Sequence, residues 1–300
     1  MKGAGTGALT GARASGSVRG AIASGVTTLR DAGFAQADAT IDADVLARHV
    51  LGWDRATLLL RRDESMPPDA HASFEGLIVR RALHEPVAYL TGTREFYGRD
   101  FHVSPAVLIP RPETELIVDA VLARTSTDAV LHVADVCTGS GILAVTLACE
   151  RPNVAVVATD ISPAALAVAR RNAASHGVDE RITFMEGDLL ASASGPFDLV
   201  VANPPYVATR DARALSPDVR DFEPGLALFA GEDGLDVIGR LMTDVAVRLA
   251  SDGMFLMEFG AGQQYDVAQH ASNAGLDVLQ VIDDLQGMPR VVLCRLRVDV

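Results

Sequence analysis

The spacing of apolar residues changes near residue 92, and this change divides the chain into two parts. Before it, apolar positions recur every three or four residues, which is the spacing of one helix face. DADVLARHVLG contains such a face in Val45, Leu46, His49, Val50 and Leu51. HASFEGLIVRRAL contains a second in Phe74, Leu77, Ile78 and Leu83. With Gly52 as a stop signal between them, the pattern predicts a small helical bundle over residues 19–92.

Aromatic and β-branched residues follow in the stretch REFYGRDFHVS. They flank Gly98, Arg99 and Asp100, which we predict to form the turn of a β-hairpin. We assign this hairpin to a linker over residues 93–112. The next stretch, PETELIVDAVLA, begins with a proline and contains two early glutamates, which favour the first turn of a helix.

From Val130 onwards, short apolar runs alternate with helical patterns. The runs are AVLHVADV, VAVVATD, RITFMEG, FDLVVANP, GMFLMEFG, LDVLQVID and RVVLCRL. Strands with helical crossovers form a mostly parallel sheet that is covered by helices on both faces. Only DLQGMP separates the last two runs, which is too short for a parallel crossover, so we predict that they pair antiparallel. The predicted fold class is α/β, with a seven-stranded sheet in a domain over residues 113–300.

The composition is that of a globular protein, with 300 residues of which 49% are hydrophobic and 22% charged. No apolar run approaches the roughly 20 residues needed to span a bilayer, so no membrane partner is expected. Residues 1–18 are rich in Gly, Ala and Ser and contain no apolar stretch of the kind found in secretory signals. They are predicted to form a flexible tail.

The net charge of −13 is unevenly distributed. Residues 1–92 carry 10 basic and 10 acidic residues, whereas the rest of the chain carries 16 basic and 29 acidic residues. A protein that binds a phosphate backbone normally has a basic face. The charge balance therefore argues against a direct nucleic-acid substrate.

The cysteines and histidines show no metal-binding pattern. Cys137, Cys149 and Cys294 have no Cys-x-x-Cys spacing, and the seven histidines are scattered. This arrangement argues against a disulfide framework and against a zinc site. We therefore predict a protein without a metal, in the reducing environment of the cytoplasm.

The first parallel strand ends in ADVCTGSGILAVTLA, where a strand turns directly into a helix. Asp135 closes the strand, and Gly139 and Gly141 allow a tight turn. Such glycines let a ligand approach the backbone at the polarised start of a helix. The complete dinucleotide fingerprint is absent, because residue 144 is Ala. A plain strand–helix turn is the structural alternative.

Acidic residues close the next two strands. Asp160 follows the glycines by about 20 residues, at the place where a carboxylate accepts both hydroxyls of a ribose. The alternative role of helix cap suits Ser162 better, because Ser162 directly precedes Pro163. Asp188 follows the third strand and would meet an adenine amino group or form an exposed turn. This set, without a pyrophosphate fingerprint, favours S-adenosylmethionine over NAD as the cofactor.

The fourth strand ends in Asn203-Pro204-Pro205-Tyr206. Proline has no backbone N–H, so these residues cannot continue the strand. The side-chain oxygen of Asn203 and the carbonyl of Pro204 are two fixed acceptors for the two protons of a planar –NH₂ group. Their hydrogen bonds disfavour conjugation of the nitrogen and turn its lone pair toward an electrophile, while Tyr206 offers a surface for stacking. The alternative is a proline-terminated strand without chemistry.

Several segments together resemble the HemK/PrmC family, the methyltransferases that modify the glutamine of the Gly-Gly-Gln motif in peptide chain release factors. They are EPVAYLTGTREFYGRDFHVSPAVLIPRPETE, DVCTGSG, NPPY, DFEPGLALFAGEDGL and GMPR. The resemblance runs from about residue 20 to the end of the chain. NPPY alone is shared with adenine, cytosine and guanine amino-methyltransferases, whereas the segment from Glu85 to Glu115 is more specific to this family.

The resemblance implies a helical substrate-recognition domain, a hairpin linker and a class I, Rossmann-like methyltransferase domain. By the family's pattern, Asn203 to Tyr206 would hold the substrate glutamine, and Arg111 and Glu113 would border the site. The cofactor S-adenosylmethionine would be bound by Cys137, Thr138, Gly139, Ser140, Gly141, Asp160, Asp188, Leu189 and Asn203. Two positions depart from the pattern: Cys137 replaces a common Gly, and Leu189 replaces an aromatic residue found in some members.

The expected function is transfer of a methyl group from S-adenosylmethionine to the side-chain amide nitrogen of that glutamine. Asn203, Pro204 and Tyr206 would be the catalytic residues, and class 1 release factors the partners. The alternative is a nucleic-acid exocyclic amino-methyltransferase, which requires a basic groove. A non-catalytic binding module would have a degraded motif, whereas all four residues of Asn-Pro-Pro-Tyr are present.

Overall fold

The computed structural model describes residues 16–297, which form two compact units. The first unit ends at Gly92 and the second begins at Thr93. Of the N-terminal tail predicted from the sequence, residues 1–15 lie outside the described residues.

The first unit contains five helices within residues 16–92. They are α1 (Val18–Asp31), α2 (Gln36–Leu51), α3 (Arg55–Arg61), α4 (Pro68–Ala82) and α5 (Val87–Thr91). The hydroxyl of Ser17 caps α1 by accepting a hydrogen bond from the backbone N–H of Gly20. Gly52 ends α2 in a left-handed conformation, with φ of 65°.

The buried face of α2 differs from the predicted one. It consists of Ala39, Ala43, Leu46 and Ala47, whereas His49 is exposed. On α4, Phe74 and Ile78 are buried as predicted, but Leu83, just beyond the helix, is 70% exposed. Small residues form the packed surfaces because they allow helices to approach closely. A pattern of large apolar side chains does not reveal such a surface.

The second unit begins with a β-hairpin made of β1 (Thr93–Phe96) and β2 (Arg99–His102). Its turn consists of Tyr97 and Gly98, with φ of 52° and 72°. Two consecutive residues with positive φ are typical of the tight turns that join antiparallel strands. The predicted turn at residues 98–100 is therefore wrong by one position, since Arg99 and Asp100 belong to the second strand.

A seven-stranded sheet forms the centre of the second unit. Its strands are β3 (Leu131–Val136), β4 (Val154–Asp160), β5 (Ile182–Glu186), β6 (Phe197–Ala202), β7 (Leu249–Glu258), β8 (Leu276–Asp283) and β9 (Pro289–Leu296). The spatial order is β5-β4-β3-β6-β7-β9-β8, and β9 runs in the opposite direction to the other six strands. The sequence-based prediction of a seven-stranded sheet with an antiparallel final pair is confirmed.

Helices connect these strands. They are α6 (Glu115–Leu122), α7 (Ile142–Glu150), α8 (Pro163–Ser175), α9 (Pro217–Phe222), α10 (Gly225–Leu228), α11 (Asp236–Ala246) and α12 (Gln264–Asn273). Short 3₁₀ helices lie at Pro112–Thr114, Asp179–Arg181 and Thr209–Ala214. No helix follows β6 directly, because residues 203–208 are not helical and α9 to α11 come later in the connection to β7.

Both faces of the sheet are buried. Val133 and Leu199 belong to one hydrophobic cluster, and the next residues along the same strands, Ala134 and Val200, belong to another. Successive side chains of a strand point to opposite faces, so this alternation shows that helices cover both sides. The apolar runs are continuous in the sequence for the same reason.

The order of strands reverses at β3. The chain proceeds outward from β3 through β4 to β5, and then returns to β6 on the other side of β3. In open α/β sheets, ligands bind at the carboxyl ends of the strands beside such a switch point. The residues that follow β3, β4 and β6 are therefore brought to one edge.

Candidate active site

A cavity of about 240 Å³ lies at the carboxyl ends of β3, β4 and β6. The predicted site residues that line it are Cys137, Thr138, Gly139, Ser140, Asp160, Asp188, Leu189, Asn203 and Pro205. Gly141, Pro204 and Tyr206 are not part of its lining. One edge of the sheet therefore collects most of the predicted residues.

The loop after β3 needs left-handed backbone conformations. Cys137, Gly139 and Gly141 have φ of 59°, 55° and 82°. A side chain at Gly141 would lie 3.1 Å from the Cβ of Ala169 on α8, so glycine is required there for close packing as well as for conformation. Cys137 adopts this conformation although it has a side chain. Glycine adopts it without strain, which is the physical reason why glycine suits this position. Burial raises the pKa of the Cys137 thiol, so it stays protonated.

Asp160 is held by two backbone groups. Its Oδ2 accepts a hydrogen bond from the N–H of Gly139 at 2.9 Å, and its Oδ1 accepts one from the N–H of Ser162 at 2.9 Å. Each carboxylate oxygen keeps a further lone pair. Burial raises the pKa of Asp160. Ser162 caps α8 by accepting from the N–H of Ala165, as predicted, which leaves Asp160 available for a ligand.

Asp135 is completely buried at the end of β3 and also lines the cavity. Its Oδ2 accepts hydrogen bonds from the hydroxyl of Thr138 at 2.5 Å and from the N–H of Ala144 at 3.0 Å. Within residues 16–297, its Oδ1 has no partner. Burial raises the pKa of this carboxyl to about 7. An unpaired buried carboxylate oxygen fits a cationic donor such as the amino group of S-adenosylmethionine.

The Asp188-Leu189 turn lies at the end of β5. Asp188 is half exposed and forms an ion pair with Arg240 of α11, a residue that also lines the cavity. Leu189 is buried in a left-handed conformation, with φ of 51°. Because its oxygen already faces a guanidinium, Asp188 would bind a ligand amino group only while sharing its carboxylate with Arg240.

Asn203 is the first residue after β6, and its side chain is part of a hydrogen-bonded chain. Its Nδ2 donates to the hydroxyl of Thr114 at 3.0 Å, and that hydroxyl donates to Oε2 of Glu258 at 2.6 Å. The hydroxyl of Tyr206 donates to the other carboxylate oxygen of Glu258 at 3.0 Å. Both polar side chains of the Asn-Pro-Pro-Tyr motif are thus connected to one buried carboxylate.

The backbone around Tyr206 is closely packed. The side-chain amide of Gln263 donates to the carbonyl of Tyr206 at 3.0 Å. A side chain at Gly234 would lie 2.3 Å from that carbonyl, and one at Gly260 would lie 3.2 Å from the Tyr206 ring. These contacts fix the turn that follows the two prolines.

Arg111 of the linker motif lines the cavity, whereas Glu113 does not. The guanidinium of Arg111 donates to Oε1 of Glu223 at 2.6 Å, and Oε2 of Glu223 accepts from the N–H of Ile109 at 3.1 Å. The Glu223 side chain is 1% exposed, and burial raises its pKa. Glu223 therefore orients Arg111 at the wall of the cavity.

Sequence reasoning missed four polar residues of this site: Thr114, Glu223, Arg240 and Glu258. Glu258 is an acidic residue at the end of an apolar strand, the same signal that identified Asp160, so the sequence could have revealed it. Among the described residues, no group of three or more His, Cys, Asp or Glu side chains is arranged to hold a metal ion. No helix within residues 16–297 combines the length and apolarity needed to cross a membrane.

Comparisons with known proteins identify the class. The PrmC N-terminal domain family matches residues 20–92, and the methyltransferase small domain family matches residues 113–216. A crystal structure of a methyltransferase from Pyrococcus furiosus has the same fold, with a TM-score of 0.51 at 15% identity, covering 75% of this chain and 98% of that one. The fold and the matches define a class I methyltransferase that uses S-adenosylmethionine.

Two relatives are similar over most of their length. The release factor glutamine methyltransferase of Koribacter versatilis is 44% identical over 260 residues, which is 85% of this chain and 90% of that protein. The release factor glutamine methyltransferase of Cereibacter sphaeroides is 42% identical over 259 residues, which is 86% of this chain and 92% of that protein. The chain belongs to the family of release factor glutamine methyltransferases.

Proposed function

We propose that this protein transfers a methyl group from S-adenosylmethionine to the side-chain amide nitrogen of the glutamine in the Gly-Gly-Gln motif of class 1 peptide chain release factors. The names of its relatives support a release factor as the substrate. The chemistry of the Asn-Pro-Pro-Tyr segment supports a planar amide as the acceptor. Release factors act in the cytoplasm, which is the location that we propose for this enzyme.

The orientation of the Asn203 amide carries this proposal. Because its Nδ2 donates to Thr114, its Oδ1 faces away from that contact and remains free to accept. No donor among residues 16–297 reaches this Oδ1 or the carbonyl of Pro204. Two acceptors on adjacent residues match the two protons of a primary amide. Their position beside the cavity brings the amide nitrogen next to the cofactor.

The cofactor, when bound, supplies an electrophilic methyl group on a sulfonium. We assign its ribose to Asp160 and its amino group to the free oxygen of Asp135, with the loop from Cys137 to Gly141 forming the backbone surface of the site. Asn203 and Pro204 hold the substrate amide so that its nitrogen lone pair points at the methyl carbon. Transfer would form the N–CH₃ bond as the S–CH₃ bond breaks, and the amide nitrogen held by Asn203 and Pro204 would then lose one proton. The main contributions are orientation and fixed dipoles.

We assign substrate recognition to the helical unit over residues 19–92. Its surface exposes Leu59 and Leu60 of α3, which are 58% and 86% exposed. These two leucines give a protein partner an apolar surface to cover. The unit carries no excess of positive charge, so it offers little to a phosphate backbone.

A substrate comparison tests the proposal against the nucleic-acid alternative. The protein is incubated with methyl-labelled S-adenosylmethionine and either a purified release factor, the same release factor with its Gly-Gly-Gln glutamine replaced by alanine, duplex DNA or RNA. We expect label on the unaltered release factor alone. Label on DNA or RNA, with binding that weakens steeply as salt rises, would contradict the proposal.

A further inference from the structure

We propose that Thr114 and Glu258 are positioning residues that fix the direction of the Asn203 amide, so that its oxygen rather than its nitrogen faces the substrate. This inference rests on the proposed function. The two residues come from distant parts of the sequence, since Thr114 ends the short helix Pro112–Thr114 and Glu258 ends β7. They hydrogen-bond to each other, and the Thr114 hydroxyl also accepts from the side chain of Asn203 at the end of β6.

The direction of each hydrogen bond follows from the chemistry of Glu258. The hydroxyls of Thr114 and Tyr206 both donate to Glu258, one to each carboxyl oxygen, although burial raises the pKa of this acid. Once its single proton is used, the Thr114 oxygen has only lone pairs for Asn203. The Asn203 group that faces Thr114 must then be the NH₂ group, at 3.0 Å.

The same series of hydrogen bonds excludes the opposite orientation of the Asn203 amide. Rotation of the Asn203 amide by half a turn would place its oxygen against the lone pairs of Thr114. The NH₂ group, which only donates, would then face the protons of the substrate amide, and no acceptor would remain at that position. An asparagine amide alone has similar energy in both orientations, so its catalytic direction needs a partner that distinguishes oxygen from nitrogen.

The hydrogen bonds that join Asn203, Thr114 and Glu258 are buried. Thr114 is completely buried and Glu258 is 1% exposed. A buried acid is costly unless its oxygens are hydrogen-bonded, and both oxygens of Glu258 are. Because the second oxygen binds Tyr206, one carboxylate sets the position of the aromatic ring and the direction of the amide together.

Thr114→Val tests the inference, because valine has nearly the same shape and no hydroxyl. We expect the single-turnover rate of methyl transfer to fall about 10- to 100-fold, the range found when the partner that orients a metal-binding side chain is removed. Thr114→Ser keeps the hydroxyl and should stay within about threefold of wild type. Thr146→Val is the matched control, since the Thr146 hydroxyl is buried on α7 and has no partner within residues 16–297. Its rate should not change.

A double-mutant cycle separates positioning from general disruption. If Thr114 acts through Asn203, then Thr114→Val lowers the rate in the wild-type protein but has no further effect in the Asn203→Ala protein. The Kd for S-adenosylmethionine should stay within about threefold of wild type in Thr114→Val, Thr114→Ser and Thr146→Val. Equal losses in both backgrounds, or a full rate in Thr114→Val, would overturn the inference.

Nuclear magnetic resonance gives a readout that needs no substrate. In the wild-type protein, one side-chain amide proton of Asn203 should exchange slowly with solvent, because it is donated to the buried Thr114 hydroxyl. This protection should be lost in Thr114→Val and kept in Thr114→Ser and Thr146→Val. An unprotected Asn203 amide in the wild-type protein would refute the inference even if methyl transfer is observed. A wild-type protein that shows this protection but methylates no release factor would refute the proposed function alone.

Discussion

Replacement of Asn203 by aspartate tests the hydrogen-bond direction at the centre of the site. From the sequence alone, Asn203→Asp should be milder than Asn203→Ala, because aspartate keeps an oxygen for the substrate. The structure reverses this expectation. The nitrogen that donates to Thr114 would become an oxygen, and the Thr114 proton already belongs to Glu258. Two acceptors would then face each other across about the present 3.0 Å.

The size of the effect follows from these distances. The hydrogen bonds of 3.0 Å and 2.6 Å place the new carboxylate oxygen at most 5.6 Å from Glu258. Two charges at that separation repel by about 3 kcal/mol at an effective dielectric constant of about 20. Desolvation of the new charge adds to this cost. We therefore expect Asn203→Asp to lose at least as much rate at pH 8 as Asn203→Ala, which should lose about 10²–10³-fold.

Lower pH should rescue only the aspartate variant. Repulsion from Glu258 favours the protonated form of the new carboxyl, which can donate to Thr114 while its other oxygen accepts from the substrate. The assay is the single-turnover rate at saturating cofactor and release factor from pH 6 to pH 8.5, divided by the wild-type rate at each pH. Circular dichroism checks folding. An aspartate variant within threefold of wild type at pH 8, or an alanine variant that recovers equally at pH 6, would refute the reasoning.

Three further predictions concern the cofactor loop and the stability of the fold. Asp160→Ala should weaken binding of S-adenosylmethionine at least tenfold in calorimetric titration, because charge-assisted hydrogen bonds to ribose are lost; unchanged affinity in a folded variant would remove Asp160 from the site. Gly141→Ala should lower the free energy of unfolding in urea by about 1–3 kcal/mol, because its φ is 82° and the new Cβ lies 3.1 Å from Ala169. Gly177→Ala, with φ of 66° and open space around it, should cost less, and equal costs would contradict the packing argument. Burial raises the pKa of Asp135 from 3.8 to about 7, so between these values the folded protein binds a proton that the unfolded chain has released, and stability falls as pH rises. The fall in Tm of the cofactor-free protein from pH 5.5 to pH 8 should therefore be smaller in Asp135→Asn, and identical slopes would contradict this assignment.

The strand pattern was sufficient to predict the sheet, because both of its faces are buried and its strands are continuous apolar runs. The rule that ligands bind at the carboxyl ends of strands predicts from the sequence that Asp160 and Asn203 lie at one edge of the sheet. Glu258 obeys the same rule at the end of β7. No motif marks it, whereas Asn203 begins the Asn-Pro-Pro-Tyr motif.

Other features depend on contacts that the sequence does not encode locally. Thr114 is separated from Glu258 by 144 residues, and nothing near either residue indicates that they meet. The packed face of α2 is mostly alanine. The spacing of the large side chains therefore predicts a buried face that includes His49, which is exposed in the structure. The predicted hairpin turn lies one position too late in the sequence. The actual turn includes Tyr97 in a left-handed conformation, which bulky residues seldom adopt.

The central claim is that this protein methylates a glutamine side-chain amide, and the position of the methyl group tests it most directly. Purified protein is incubated with S-adenosylmethionine carrying a labelled methyl group and with a purified release factor, and the product is digested and sequenced by mass spectrometry. The account predicts one methyl group, on the glutamine of the Gly-Gly-Gln motif, that is released as labelled methylamine on acid hydrolysis. A methyl group on any other residue, or a release factor that remains unmethylated, would contradict it.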